Sequence, residues 1–161
     1  MQALDSELRR LEETATYSAQ SQFEQAKIWR GTNLVIGGPA AVLAAVAGAS
    51  GLASATNHTT AAILALISAG LGGVVTSLNA ASRASRAHSA ANTYLAVQTE
   101  ARQLRQLDLP GLDTGSARET IRALTAKITE TNAAADIPAR VAYWLGRRNI
   151  AKRRQTYEVD R

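Results

Sequence analysis

From Gly31 to Ser82 the chain carries no Asp, Glu, Lys or Arg, whereas on either side charges interrupt the apolar positions every few residues. Before that stretch, Leu4, Leu8, Leu11, Ala15, Ala19, Phe23 and Ala26 recur at intervals of three or four. That spacing lines one face of an α-helix and predicts a helix over 3–30 with a single seam to bury in a bundle or coiled coil. Inside the stretch, 33–53 and 60–80 are each long enough to cross a hydrocarbon layer roughly 30 Å thick at a rise of about 1.5 Å per residue. The short polar segment 54–59 between them allows only an antiparallel hairpin.

Beyond the stretch, Ala84, Ala87, Ala91, Tyr94, Ala101 and Leu104 share one face of a helix over 82–107, which Leu109-Pro110-Gly111 terminates. Ser116 and Glu119 form a capping-box pattern ahead of Ile121, Leu124 and Ile128, so a helix is expected over 116–132. Pro138 opens a last helix over 138–157. No segment alternates with the period of a strand. The fold class read from this pattern is an all-α membrane protein of one domain, 1–161. A two-helix transmembrane hairpin is joined to a cytoplasmic helical bundle made of the N-terminal helix and the C-terminal helices.

Charge refines the picture. Four basic and five acidic residues precede the charge-free stretch, and fourteen basic and eight acidic follow it. Lys27 and Arg30 flank the first span, Arg83 and Arg86 the second, and the loop between has neither Lys nor Arg. By the positive-inside rule both termini face the cytoplasm and the protein is multi-pass in the inner (plasma) membrane. Ala53-Ser54-Ala55 follows an apolar run in the manner of a signal-peptidase site, but some thirty residues of charged amphipathic helix come first, which argues against secretion. Trp29 and Phe23 fall near the first boundary, where they serve either an aromatic belt or an ordinary core.

Small residues in the spans form stripes. Gly37, Ala41, Ala44, Gly48 and Gly51 lie along one side of the first span, and Ala65, Ala69 and Gly72 continue into Thr76 and Asn79 along the second. In lipid, helices associate through close backbone approach and polar contacts, which such stripes permit. Two uses stand open: the seams pack on each other within one hairpin, or part of a seam forms an oligomer contact or lines a pore. For the second use, Ser68, Thr76 and Asn79 are the candidate polar lining.

Catalytic chemistry is not legible. The two histidines, His58 and His88, are far apart, there is no cysteine, and no Gly-rich turn leads into Lys-Ser/Thr after a strand. No catalytic, cofactor-binding or metal residue is assigned, no cofactor is expected and the protein is read as no enzyme. His88 reads as packed or solvated. Arg140, Arg147, Arg148, Lys152, Arg153 and Arg154, with Tyr143 and Trp144 among them, suit anionic groups. Arg147, Arg148, Lys152, Arg153 and Arg154 are the expected headgroup or anion contacts, and no specific nucleic acid is expected because no recognition module accompanies them.

These residues together resemble the SLATT family, the two-transmembrane effector domains that accompany SMODS nucleotidyltransferases and SLOG nucleotide sensors in bacterial conflict systems. The resemblance covers AQSQFEQAKIW at 19–29, GGPAAVLAAVAGASGLA at 37–53, SLNAASRASRAHSAANTYLAVQTEARQL at 77–104 and IPARVAYWLGRRNIAKRRQTYEVDR at 137–161. It implies a homo-oligomeric, pore-forming or membrane-perturbing effector of antiviral defense, silent until a nucleotide second messenger or a partner sensor triggers it. No sensor or nucleotidyltransferase is fused here, so the trigger is expected from a separate protein or from direct binding to the helical body. A non-enzymatic, membrane-anchored helical scaffold is the alternative.

Overall fold

A computed structural model describes residues 2–53 and 58–151, the side chains of 50–53 and 58 excepted. Among the described residues every regular element is helical. Helix α1 runs unbroken from Gln2 to Ala53, so the segments expected at 3–30 and 33–53 are one helix. Pro39 sits inside it; a proline costs one backbone hydrogen bond there, a loss that a long apolar helix tolerates when neighbours re-satisfy the freed carbonyl. Helix α2 spans His58–Leu78 and α3 spans Ala80–Gln103, separated by Asn79 alone. A π-helical turn, Leu104–Asp108, closes α3, with the Leu109 amide donating to the Leu104 carbonyl at 2.8 Å. Helices α4, Thr114–Ala134, and α5, Arg140–Ala151, complete the chain.

Two compact units result, Met1–Ala26 with Ser85–Arg161, and Lys27–Ala84. In the first, Leu8, Leu11, Ala15 and Ala19 of α1 meet Tyr94, Val97 and Ala101 of α3 and Ala117, Ile121, Leu124 and Ile128 of α4 in one buried cluster. Leu4 and Phe23 pack partly buried against it, and Ala26 is buried, so the whole expected seam of the N-terminal helix is used. The six residues expected on the face of α3 are likewise buried. Alanines at 87, 90, 91 and 101 let the backbones approach closely, which offsets the scarcity of large aromatic side chains.

Polar pairs give the directions. Arg105 reaches Glu12 at 3.2 Å while Phe23 meets the His88 ring edge-on at 5.5 Å, so α1 and α3 are antiparallel. Tyr94 donates to Asn132 at 2.5 Å and Lys127 to Glu100 at 2.8 Å, so α3 and α4 are antiparallel too. Helix α4 begins two residues before the expected start. Asp113, in extended backbone, accepts from the amides of Gly115 and Ser116 at 2.7 and 3.0 Å. Asp113 is therefore the N-cap. Ser116, three residues inside, donates its hydroxyl to Asp113 at 2.5 Å instead of capping the helix itself.

In the second unit, the half-buried or buried positions within the apolar spans include Ile36, Gly37, Gly38, Ala40, Leu43 and Ala47 on α1, with Ala61, Leu64, Ser68, Leu71, Gly72, Val75 and Leu78 on α2. The spacing of three and four makes one packing face per helix. Ser68 Oγ ties the faces together by donating to the Ala40 carbonyl at 2.8 Å. Leu34, Val35 and Val42 of α1 and Ile63, Leu66 and Ile67 of α2 stand exposed. These helices are long and apolar enough to cross a membrane, and only 6% and 0% of their most apolar windows are buried. A core helix of a soluble protein would bury most of such a window.

Candidate functional site

The apolar hairpin is the first candidate site. Its own packing face takes in Gly37 and Gly72 of the small-residue seams and otherwise lies beside them. Gly37 touches that face: a methyl group placed on it comes 3.9 Å from Val75 Cγ2. Gly72 is half-buried, whereas Ala41, Ala44, Gly48, Ala65 and Ala69 are exposed. Ala44 and Gly48 are nevertheless brought together with Ala65 and Ala69, since all four line one shallow groove of about 410 Å³, floored by Ala47 and Ser68. The side-chain environment of Gly51 lies outside the described residues. A methyl group on Gly48 or Gly72 meets no atom within 4 Å. The hairpin alone therefore does not require these positions to be small.

The three polar candidates differ from one another. Ser68 spends its proton on Ala40, and Thr76 Oγ1 donates to the Gly72 carbonyl one turn back at 2.9 Å. Neither hydroxyl needs water as an acceptor. Asn79 stands at the break between α2 and α3 with φ of 47°, the left-handed region that asparagine tolerates better than other residues with a Cβ. Its amide bonds to the carbonyls of Val75 and Thr76, and its carbonyl accepts from the Arg83 amide at 3.0 Å. Its backbone role, hidden from a reading of polarity alone, is to end α2 and start α3 within one residue.

Arg83 secures that junction. Its Nε donates to the Leu78 carbonyl at 3.1 Å, satisfying one acceptor the break leaves over. Its guanidinium lies over the Trp29 ring, 5.1 Å from the centroid, and Trp29 Nε1 is buried without a hydrogen-bond partner. Trp29 thus belongs to a cation–π contact within the second unit, while Phe23 belongs to the first unit's core and His88 is packed against it.

Of the basic candidates, Arg147 and Arg148 are exposed on α5, with Arg148 5.5 Å from the Trp144 ring centroid. Lys152, Arg153 and Arg154 lie outside the described residues. What the sequence did not disclose is the ground on which α5 sits. Gln20, Ser21, Gln22, Glu24 and Gln25 of α1 are all buried. Asn149 donates to Glu24 at 2.8 Å, Gln25 accepts from the Ala139 amide at 2.9 Å, and Gln22 donates to the Asp136 carbonyl at 3.0 Å. Gly146 completes the contact, because a Cβ there would come 3.0 Å from the Ser21 amide nitrogen. A lone glycine in an arginine-rich amphipathic helix was the one available signal of that approach.

A cavity of about 240 Å³ adjoins this contact, lined by Tyr17, Gln22, Tyr94, Asn132, Asp136 and Tyr143. It is smaller than the usual range of ligand pockets, about 300–1,000 Å³, and Gln22 Oε1 is left without a partner. Among the described residues no three His, Asp or Glu side chains gather as a metal-ligand set. In comparison with known proteins the chain matches no family model, no curated protein and no solved structure.

Proposed function

We propose that the chain is an oligomeric membrane effector. Its hairpin crosses the bacterial plasma membrane with both termini cytoplasmic, and copies associate through the small-residue groove to form a pore or otherwise perturb the bilayer. The observation that supports this most directly is the groove itself: Ala44, Gly48, Ala65 and Ala69 are small, exposed and adjacent, and a methyl group on Gly48 meets no atom of the chain within 4 Å. A neighbouring hairpin of the same sequence would use it. In this reading the helical body restrains assembly until a nucleotide second messenger, or a separate sensor or nucleotidyltransferase, releases it. The setting is antiviral defense, as the SLATT resemblance implies.

Dye release from liposomes, together with membrane potential in expressing cells, tests the proposal. A methyl group at Gly48 or Gly72 meets no atom of the single hairpin within 4 Å, and Gly48→Leu and Gly72→Leu should shrink the oligomer and reduce leakage together. Vesicles that stay sealed with every nucleotide tried, in cells that keep their potential, would refute the effector reading. One observation favours a non-enzymatic anchored scaffold instead: the Ser68 and Thr76 hydroxyl protons are already satisfied, so neither of these two residues is a donor that demands a wet lumen. In that case the same variants leave cell viability untouched and the helical body still recruits its partner.

A further inference from the structure

Outside the charge-free stretch, the large apolar side chains exposed among the described residues are Leu95, Leu107, Ile137, Val141, Tyr143 and Trp144. Four of these six fall within eight consecutive residues, on α5 and just ahead of it. Val141, Trp144 and Arg148 follow one another at three and four positions and so share a face, and the first two are 60% and 58% exposed. Ala142, Gly146 and Asn149 occupy the opposite face, where the first two are buried and Asn149 bonds to Glu24. The helix is thus fully committed on one side and apolar on the other.

Charge identifies the occupant of the free side. From Ile137 to Tyr157 there is no Asp or Glu, while Arg140, Arg147 and Arg148 are exposed beside the apolar residues. A short helix with an aromatic and aliphatic face, edged by arginines and cleared of acids, has the composition of one that lies in the boundary of an anionic bilayer. Its docking ground, residues 20–25, ends six positions before the charge-free stretch begins at Gly31. We infer that α5 is an in-plane interfacial helix: Ile137, Val141 and Trp144 insert among anionic lipid headgroups while Ala142 and Gly146 stay seated on α1. This rests on the proposed membrane location, and it goes beyond headgroup contact by the arginines in assigning apolar insertion to this face.

The chain has two tryptophans, Trp29 and Trp144, so Trp29→Phe makes Trp144 the sole reporter in the full-length protein. In anionic phosphatidylglycerol vesicles carrying brominated acyl chains, Trp144 emission should fall by about half or more and be shielded from aqueous acrylamide. The loss should be smaller in zwitterionic phosphatidylcholine vesicles. Ile137→Glu with Val141→Glu, at positions whose side chains face solvent, should abolish the bromolipid effect without altering helicity. Trp144 that is open to acrylamide and blind to bromolipid overturns the inference. So does Trp144 shielded from both, which would place a second copy or another protein on the face. Leu34→Trp in a chain lacking both native tryptophans separates the levels. If it is quenched while Trp144 is not, only the α5 inference falls; if neither is quenched, the membrane reading falls as well.

Discussion

Replacing Gly146 should undock α5, and the size of the effect follows from the contact. A Cβ at 146 meets Ser21 N at 3.0 Å and Gln20 C and Ser21 Cα at 3.2 Å. All three are backbone atoms in the middle of α1, so no side chain can swing aside and α5 itself must withdraw. Overpacking of this kind costs about 1–3 kcal/mol, against which alanine regains about 1 kcal/mol of helix propensity over glycine. Gly146→Ala should therefore be nearly neutral or destabilise the docking by up to about 2 kcal/mol. Gly146→Leu cannot be absorbed by so small a shift. It should break the three hydrogen bonds through which Gln22, Gln25 and Glu24 hold the linker and α5, together worth about 3 kcal/mol at a net of about 1 each. A free helix of this length is marginal in water. Hydrogen exchange by mass spectrometry on the full chain in detergent reads this directly. Amides of α5 in Gly146→Leu should exchange up to roughly 150-fold faster, while those of α4, whose Ile121, Leu124 and Ile128 lie in the main core, should not change. Unaltered protection of α5 in the leucine variant would show that the backbone approach at Ser21 is not what seats the helix.

Other substitutions probe the remaining assignments. Asn79→Ala should cost about 1 kcal/mol because alanine resists the left-handed conformation, and Asn79→Gly should be tolerated; equal stabilities of the two in chemical unfolding would remove the backbone role. Ser68→Ala should weaken the hairpin by only about 0.6 kcal/mol, the usual worth of such a bond between helices in lipid, and a loss of dye leakage larger than its loss of stability would mark Ser68 as a lining residue. Tyr94→Phe should cost about 1 kcal/mol through its bond to Asn132, measured by thermal unfolding. The Asp113 carboxyl is held below its ordinary range by the Ser116 hydroxyl first and the Ser116 and Gly115 amides next. Its contribution is complete above the ordinary carboxylate range and lost as pH falls through the lowered value. Asp113→Ala should therefore lower Tm at neutral pH, with the gap to the parent closing as pH falls through the lowered value; a gap independent of pH would refute a charged cap.

How far the sequence could be read depended on what each face had to exclude. In the first unit, water chooses the face. Leu8, Ala15, Ala91, Tyr94 and Leu124 had to turn away from solvent, and their period of three and four located the buried faces. The start of α4 was a local competition between Asp113 and Ser116, both good caps, decided by which backbone is extended, and residue type alone does not carry that. The seat of α5 was hidden because buried glutamines look solvent-bound until their partners are known. Gln22, Gln25 and Glu24 are acceptable inside only because Asp136, Ala139 and Asn149, more than a hundred residues away, arrive to meet them. In the second unit, periodicity identified residues that share a face but not the face that meets the partner helix. In the proposed membrane setting leucine and alanine faces are nearly equivalent toward lipid, so apolarity cannot choose between the stripe of Gly37, Ala41, Ala44 and Gly48 and its neighbour of Ile36, Ala40, Leu43 and Ala47. The hairpin takes the second, with its serine bond across it, and leaves most of the first uncovered. On the proposed oligomeric reading, that uncovered stripe is the surface a second hairpin would fit, and the Gly48 and Gly72 variants are its test.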